Sequence, residues 1–268
     1  MAFDAVVLAG GRATRLGGTD KPGLVVGART LIASVVAAAD SAGAERIVVV
    51  GPARPELADR AAFVREDPPE SGPVPALRRG LAQVSAPTVA VLAADLPFLR
   101  ARHLRILLGA LPAAPSQPML PAAPARPGGP ASGVIMVDDG GRRQWLAGCW
   151  RTAVLRRAMQ AYSGNSLYGL LEPLEPALLT PALLTPAQLD PAEFDPAQLD
   201  TAQWRYDLAR DEPPPWLDCD TADDLTRARR LAQCYPWGDT RPGDVGPGDI
   251  GPGDIGRGQT QQERETRR

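Results

Sequence analysis

Apolar residues fall in short, β-branched runs separated by longer stretches of helical period. Residues 4–9 (DAVVLA) run into glycine and predict a strand buried on both faces. Residues 30–42 are alanine-rich and predict a helix, stopped by Gly43. Residues 46–50 (RIVVV) predict a second strand, closed by Gly51-Pro52, and residues 62–65 a short third one. A helix over 74–84 is entered through Gly72-Pro73, with Pro75 tolerated only in its first turn. Residues 87–93 (PTVAVLA) predict another buried strand, and residues 101–111 another helix. Strands alternating with helices at this spacing predict an α/β fold. Its central sheet is mainly parallel, its crossovers right-handed, and its layers three and Rossmann-like.

The pattern then breaks. Residues 112–132 are rich in proline, alanine and glycine and predict a loose loop. Residues 133–137 and 145–150 predict two strands around an Asp139-Gly140-Gly141 turn, and residues 151–161 a helix. From Pro176 a five-residue repeat appears: PALLT, PALLT, PAQLD, PAEFD, PAQLD. Proline every fifth residue fits neither a helical nor a strand period. Residues 173–203 therefore read as a flexible or extended insertion, with a short solenoid as the lesser alternative. Residues 221–234 predict a last helix, opened by a Thr221-Ala222-Asp223-Asp224 capping box. The tail, 236–268, carries GPGDV and GPGDI units, lacks apolar content and is expected to be disordered. One folded domain over about residues 1–235, with two low-complexity insertions, is the expected organisation.

Composition narrows the chemistry. The 268 residues carry a net charge of −2, which argues against a dedicated nucleic-acid binder. No run approaches the ~18 apolar residues of a membrane span. The start, MAFDAVVLAGG, has neither a basic region nor a cleavage site, so a cytoplasmic protein is expected. Three widely spaced cysteines, Cys149, Cys219 and Cys234, make neither a disulfide framework nor a zinc site. The single histidine, His103, is expected in the first turn of a surface helix, and Cys149 in the core. The arginines following Leu104 and Ala153 read as solvated helix faces. Chemistry must then run on carboxylates, basic side chains, backbone amides and a bound metal ion. Lys21 is the only lysine, every other cationic side chain being arginine. A compact ammonium differs from a planar fork, so this position points to a need for the ammonium itself.

Lys21 ends the stretch Leu8–Lys21, LAGGRATRLGGTDK, which begins where the first strand ends. Ligands of open α/β sheets bind at the carboxyl ends of strands. Gly10 and Gly11 let backbone amides approach phosphate oxygens, and Arg15 and Lys21 add two cations to the same loop. Together these suit a triphosphate whose pyrophosphate must leave. A P-loop is excluded because Asp20 precedes the lysine and no Ser or Thr follows it; a GxGxxG fingerprint is absent. Asp95, in Ala94-Asp95-Leu96-Pro97-Phe98, follows a strand expected near the first. On residues alone it suits either a turn cap or a carboxylate bridging to phosphate through Mg²⁺.

LAGGRATRLGGTDK resembles the N-terminal signature of the molybdenum cofactor guanylyltransferases, within the GT-A-like nucleotidyltransferases. Leu-Ala-Gly-Gly and the Gly-Gly-x-Asp-Lys ending match that branch better than the related cytidylyltransferases. The resemblance implies transfer of GMP from GTP to the phosphate of molybdenum-bearing molybdopterin, and partner proteins that supply or receive the cofactor. It implies that Leu8, Ala9, Gly10 and Gly11 frame base and ribose, and that Arg15 and Lys21 neutralise the triphosphate. It makes Asp95 the Mg²⁺ ligand. It also places Asp67, in EDPPESGPVPAL, near the nucleotide, although Val74-Pro75-Ala76 departs from the family's Leu-Ala-Gly. The family's late N-x-N-T-P segment is replaced by Asp218-Cys219-Asp220-Thr221, the chain's one asparagine being Asn165. Asp220 is then an accessory metal ligand or, with Thr221, a helix cap. Two other readings stay open: a related CTP-dependent or other small-molecule nucleotidyltransferase, and a non-catalytic nucleotide-binding scaffold that docks partners through its repeats.

Overall fold

The computed structural model describes residues 1–10, 20–111, 131–180, 204–205 and 213–234. Strand β1 (Phe3–Leu8) is wholly buried and lies between two parallel partners, β4 (Arg46–Val50) and β6 (Thr88–Ala93). Beyond β4 lies β5 (Ala62–Val64), also parallel. Beyond β6 lies β8 (Arg143–Arg151), antiparallel both to β6 and to β7 (Gly133–Val137). The edge is built by β9 (Ala177–Thr180) and β10 (Trp204–Arg205), parallel to β7 and to each other. The eight strands run β10-β9-β7-β8-β6-β1-β4-β5. The expected α/β class and mainly parallel sheet are what the fold shows.

The alternation of β1 explains the three layers. Ala5 and Val7 join the core under α1 (Leu31–Ala42) and α3 (Ala101–Ala110). Val6 and Leu8 face the opposite way, under α2 (Pro73–Leu81), α4 (Thr152–Ala161) and α5 (Leu167–Leu171). Gly80 of α2 meets the sheet so closely that a Cβ there would lie 2.5 Å from Val6 Cγ1. That contact sets α2 against β1 and leaves its first residue next to Gly72, whose φ of 108° favours glycine. Buried Asp4 ties the start of β1 to the next crossover: its Oδ2 accepts the Ser85 and Ala86 amide N–H groups at 2.6 and 3.0 Å.

A two-stranded hairpin, β2 (Val25–Val26) with β3 (Arg29–Thr30), precedes α1. The last helix, α6 (Ala222–Cys234), docks beside it through a separate apolar cluster of Val26, Leu31, Phe98, Leu217 and Leu225. Its capping box forms as expected. Thr221 Oγ1 accepts the Asp224 N–H at 3.1 Å and Asp224 Oδ2 accepts the Thr221 N–H at 2.8 Å. Among the described residues no helix is long and apolar enough to cross a membrane.

Three expectations need correction. The stretch 173–203 does not begin as an insertion: a short 3₁₀ turn, Glu172–Leu174, leads into β9, which pairs with β7 inside the sheet. Residues 181–203 lie outside the described residues, as do 112–130 and the tail from 235. The helix-face arginines are not merely solvated: Arg156 donates to the Leu81 and Val84 carbonyls at 2.9 and 2.6 Å, and Arg105 to Ser41 O at 2.5 Å. His103 is in the first turn of α3 but buried, its Nδ1 accepting the Arg100 N–H at 3.0 Å. Cys149 is core, as expected.

Burial, with the charges of Arg102 and Arg100, holds the His103 imidazole well below its ordinary pKa. The unfolded chain takes up this proton near pH ~6.5 and the folded chain does not. Stability therefore falls as pH drops below ~6.5, with a slope approaching ~1.4 kcal/mol per pH unit. Urea unfolding at pH 7, 6 and 5 is expected to show this loss, and His103→Gln to flatten it between pH 6.5 and 5. An unchanged slope in the variant would place the proton uptake elsewhere.

Candidate functional site

The parallel strands β1, β4, β5 and β6 end on the same side of the sheet. The β1–β6 ladder pairs Leu8 with Ala93, and the Ala94 N–H continues it to Leu8 O at 3.1 Å. The tips carrying Leu8-Ala9-Gly10 and Asp95 are therefore neighbours, as chain order suggested. Leu8 and Ala9 are buried and Gly10 is exposed at the tip. Gly11 and Arg15 lie outside the described residues.

Lys21 starts a 3₁₀ turn, Lys21–Gly23, with Pro22 fixing its backbone. Asp20 is turned away and paired with Arg54 at 2.5 Å. The Lys21 ammonium lies between two carboxylates: it hydrogen-bonds Asp95 Oδ2 and, at 2.5 Å, Asp220 Oδ1. Burial alone would lower the lysine pKa; the charges of Asp95 and Asp220 outweigh it and raise the pKa. Sequence reasoning placed Lys21, Asp95 and Asp220 in one site, and the structure brings them together.

The C-terminal carboxylates reach the site by strand-like alternation. Leu217 and Cys219 are buried in the α6 cluster, while the alternating residues Asp218 and Asp220 are exposed. Helix capping belongs to Thr221 and Asp224, leaving Asp220 for Lys21. The Asp218 carboxyl is raised by burial and then by the neighbouring charges of Asp220 and Asp95. Burial pushes the Cys219 thiol up to about 12, an inert group at neutral pH.

Three acidic residues thus crowd around one ammonium, a surplus of negative charge that a divalent cation would relieve. Their oxygens are the hard donors that Mg²⁺ takes, and that ion uses few protein ligands beside water and phosphate. Among the described residues no group of three or more His, Cys, Asp or Glu is placed to hold a metal ion by itself.

Asp95, Asp218 and Asp220 line an open cavity of about 830 Å³. Arg142, Arg143, Trp145 and Tyr168 line it too. Sequence reasoning missed these four; the Asp-Gly-Gly turn announced the hairpin but not where its side chains go. Asp67 is exposed and does not line the cavity. Its neighbour Glu66 is buried, accepts the Glu70 N–H at 2.9 Å, and is the acid nearest Gly10. Both acids were in view at the end of the third strand, but nothing local says which faces inward.

The fold recurs in known structures. A nucleotidyl transferase from Methanothermobacter superposes with a TM-score of 0.58 at 17% identity, covering 87% of this chain and 99% of that one. The molybdopterin-guanine dinucleotide biosynthesis protein A of Archaeoglobus fulgidus gives 0.53 at 16%, covering 87% and 100%. The 2-C-methyl-D-erythritol 4-phosphate cytidylyltransferase of Thermus thermophilus gives 0.52 at 17%, again covering 87% and 100%. At these identities the likeness is one of fold. No curated protein matches the chain. The model of the MobA-like NTP transferase domain matches residues 5–177, from the first strand through the start of β9, and the chain belongs to that family.

Proposed function

We propose that the protein transfers GMP from GTP to the terminal phosphate of molybdenum-bearing molybdopterin, with Mg²⁺. The observation that carries this reading is the convergence of Asp95 and Asp220 on Lys21, at the strand tips and beside an open cavity. An oxygen of the acceptor phosphate attacks the α-phosphorus of GTP. The bond from that phosphorus to the oxygen bridging to the β-phosphate breaks, and pyrophosphate leaves with the electron pair. The acceptor is already an anion and needs no strong base, so the protein's work is positioning and charge neutralisation.

Leu8, Ala9, Gly10 and Gly11 frame base and ribose, with Asp67 on the same side of the sheet. Arg15 and Lys21 neutralise the triphosphate and stabilise the leaving pyrophosphate. Asp95 holds the metal, with Asp220 as the accessory ligand. Mg²⁺, when bound, supplies positive charge to the phosphate oxygens. Asp218 and Asp220, standing where the family's amide pair would be, favour the second reading, a CTP-dependent relative with another phosphorylated acceptor.

Pyrophosphate release with GTP, CTP or ATP, with and without acceptor, separates the readings. Acceptor-dependent release with GTP, at least about tenfold above CTP, is expected. A preference for CTP overturns the guanylyl assignment, and no release with any nucleotide leaves the scaffold reading.

A further inference from the structure

The ammonium between the carboxylates stands in the place that the proposed metal needs. Lys21 Nζ donates to Asp95 Oδ2 and, at 2.5 Å, to Asp220 Oδ1. These are the two acids assigned to the metal, and a divalent ion binds through the same kind of oxygen. The lysine side chain is only 16% exposed, so water screens its charge weakly. A divalent ion held there with Lys21 in place would set like charges side by side. Lys21 and the metal are therefore competitors for one pair of acids.

The two acids are fixed, and the ammonium is not. Asp95 follows Ala94, whose N–H donates to Leu8 O at 3.1 Å in the sheet. Asp220 lies between buried Cys219 and Thr221, which caps α6. The turn carrying Lys21 is also held: the Gly23 N–H donates to Asp20 O and the Leu24 N–H to Lys21 O, each at 3.0 Å. The ammonium itself ends a flexible four-carbon stem and can swing while the backbone and the acids stay put. Because the chain delivers this cation at high effective concentration, a free ion competes with it at a disadvantage. A triphosphate changes the balance. It offers Lys21 other anionic oxygens, so the ammonium can leave both acids and remain paired.

We infer that Lys21 is the resident cation of the site before nucleotide binds, and that it exchanges with a divalent ion when a triphosphate draws it off Asp95 and Asp220. The inference rests on the proposed transfer for the two assignments that collide: Lys21 to the triphosphate, Asp95 and Asp220 to the metal. Its consequence is coupling. Nucleotide clears the acids for the metal, and by linkage each ligand strengthens the other's binding by the same factor.

Binding measures the exchange without turnover. Mn²⁺ alone, titrated into the full chain and followed by its paramagnetic resonance signal, is expected to bind Lys21→Met at least about tenfold tighter than wild type. GTP alone, in EDTA and followed by calorimetry, is expected to bind the same variant at least about tenfold more weakly. A merely structural lysine would move both affinities the same way. Lys21→Gln, a neutral side chain with a polar end, carries the same two expectations. Asp95→Asn in the Lys21→Met background is expected to cancel the gain in Mn²⁺ affinity. Lysine variants that bind Mn²⁺ no better than wild type, or a gain that survives Asp95→Asn, overturn the inference. So does GTP binding that the lysine variants leave intact, since nothing would then draw the ammonium away. A wild type that binds CTP and not GTP, with the opposed shifts intact for CTP, overturns the guanylyl reading and leaves the exchange standing. A wild type that binds GTP only with Mn²⁺ present keeps the proposed donor and overturns the exchange, in which the triphosphate takes the ammonium first.

Discussion

Asp95→Ala lowers kcat/KM for nucleotidyl transfer by at least ~10²-fold, the scale of removing one preorganised charge contact. Asp95 sits one residue beyond the strand-to-strand bond from Ala94 to Leu8, so its position is set by the sheet. Its carboxylate contacts Lys21 and lines the cavity, and its side chain is 19% exposed. Truncation leaves the Lys21 ammonium with Asp220 and takes away a hard donor at the tip of β6. The packing of β1 against β6 does not use this side chain, so the melting temperature should stay within a few degrees of wild type. Steady-state pyrophosphate release at saturating acceptor, with a thermal melt of each sample, is the check. A folded Asp95→Ala protein retaining a third or more of wild-type kcat/KM would remove Asp95 from the mechanism.

Lys21→Ala is expected to cost a similar factor, and Lys21→Arg at least about tenfold although the charge is kept. Asp95 and Asp220 both address one nitrogen, the Nζ, from different elements. A guanidinium spreads its donors over a planar fork and cannot centre a single nitrogen between two carboxylates that the backbone fixes. Pro22 next to it, and the Asp20–Arg54 pair before it, leave the turn little room to adjust. The same assay gives the ratio, and circular dichroism controls for folding. Full activity in Lys21→Arg would show that any cation suffices, and the single lysine would then carry no chemical meaning.

The parallel core was legible because its strands are unbroken apolar runs punctuated by glycine and proline. The expected strands 46–50 and 133–137 coincide with β4 and β7, and the capping box at Thr221 forms from residues three apart. Lys21 and Asp95 were legible through their place after strands. The misses have physical causes. Strand β9 takes its residues from the first PALLT unit, whose proline-led pattern gave no sign that it pairs with β7. The register jump between β7 and β8, from Ile135 opposite Gly148 to Met136 opposite Gln144, is a choice between two strands, which neither strand encodes alone. His103 was expected in the first turn of a surface helix, yet its Nδ1 accepts a backbone N–H there and the ring is buried. Glu66 and Asp67 differ only in which way the chain turns after β5.

Asp220 reaches Lys21 across 199 positions of chain, from a segment held by the last helix. During synthesis the glycine-bearing tip and the lysine emerge early, whereas the partner acid of the lysine leaves the ribosome after all eight described strands of the sheet. A nascent chain can thus begin to collapse around β1 without possessing a complete charged centre. The contact between Lys21 and Asp220 forms only once the closing helix has docked.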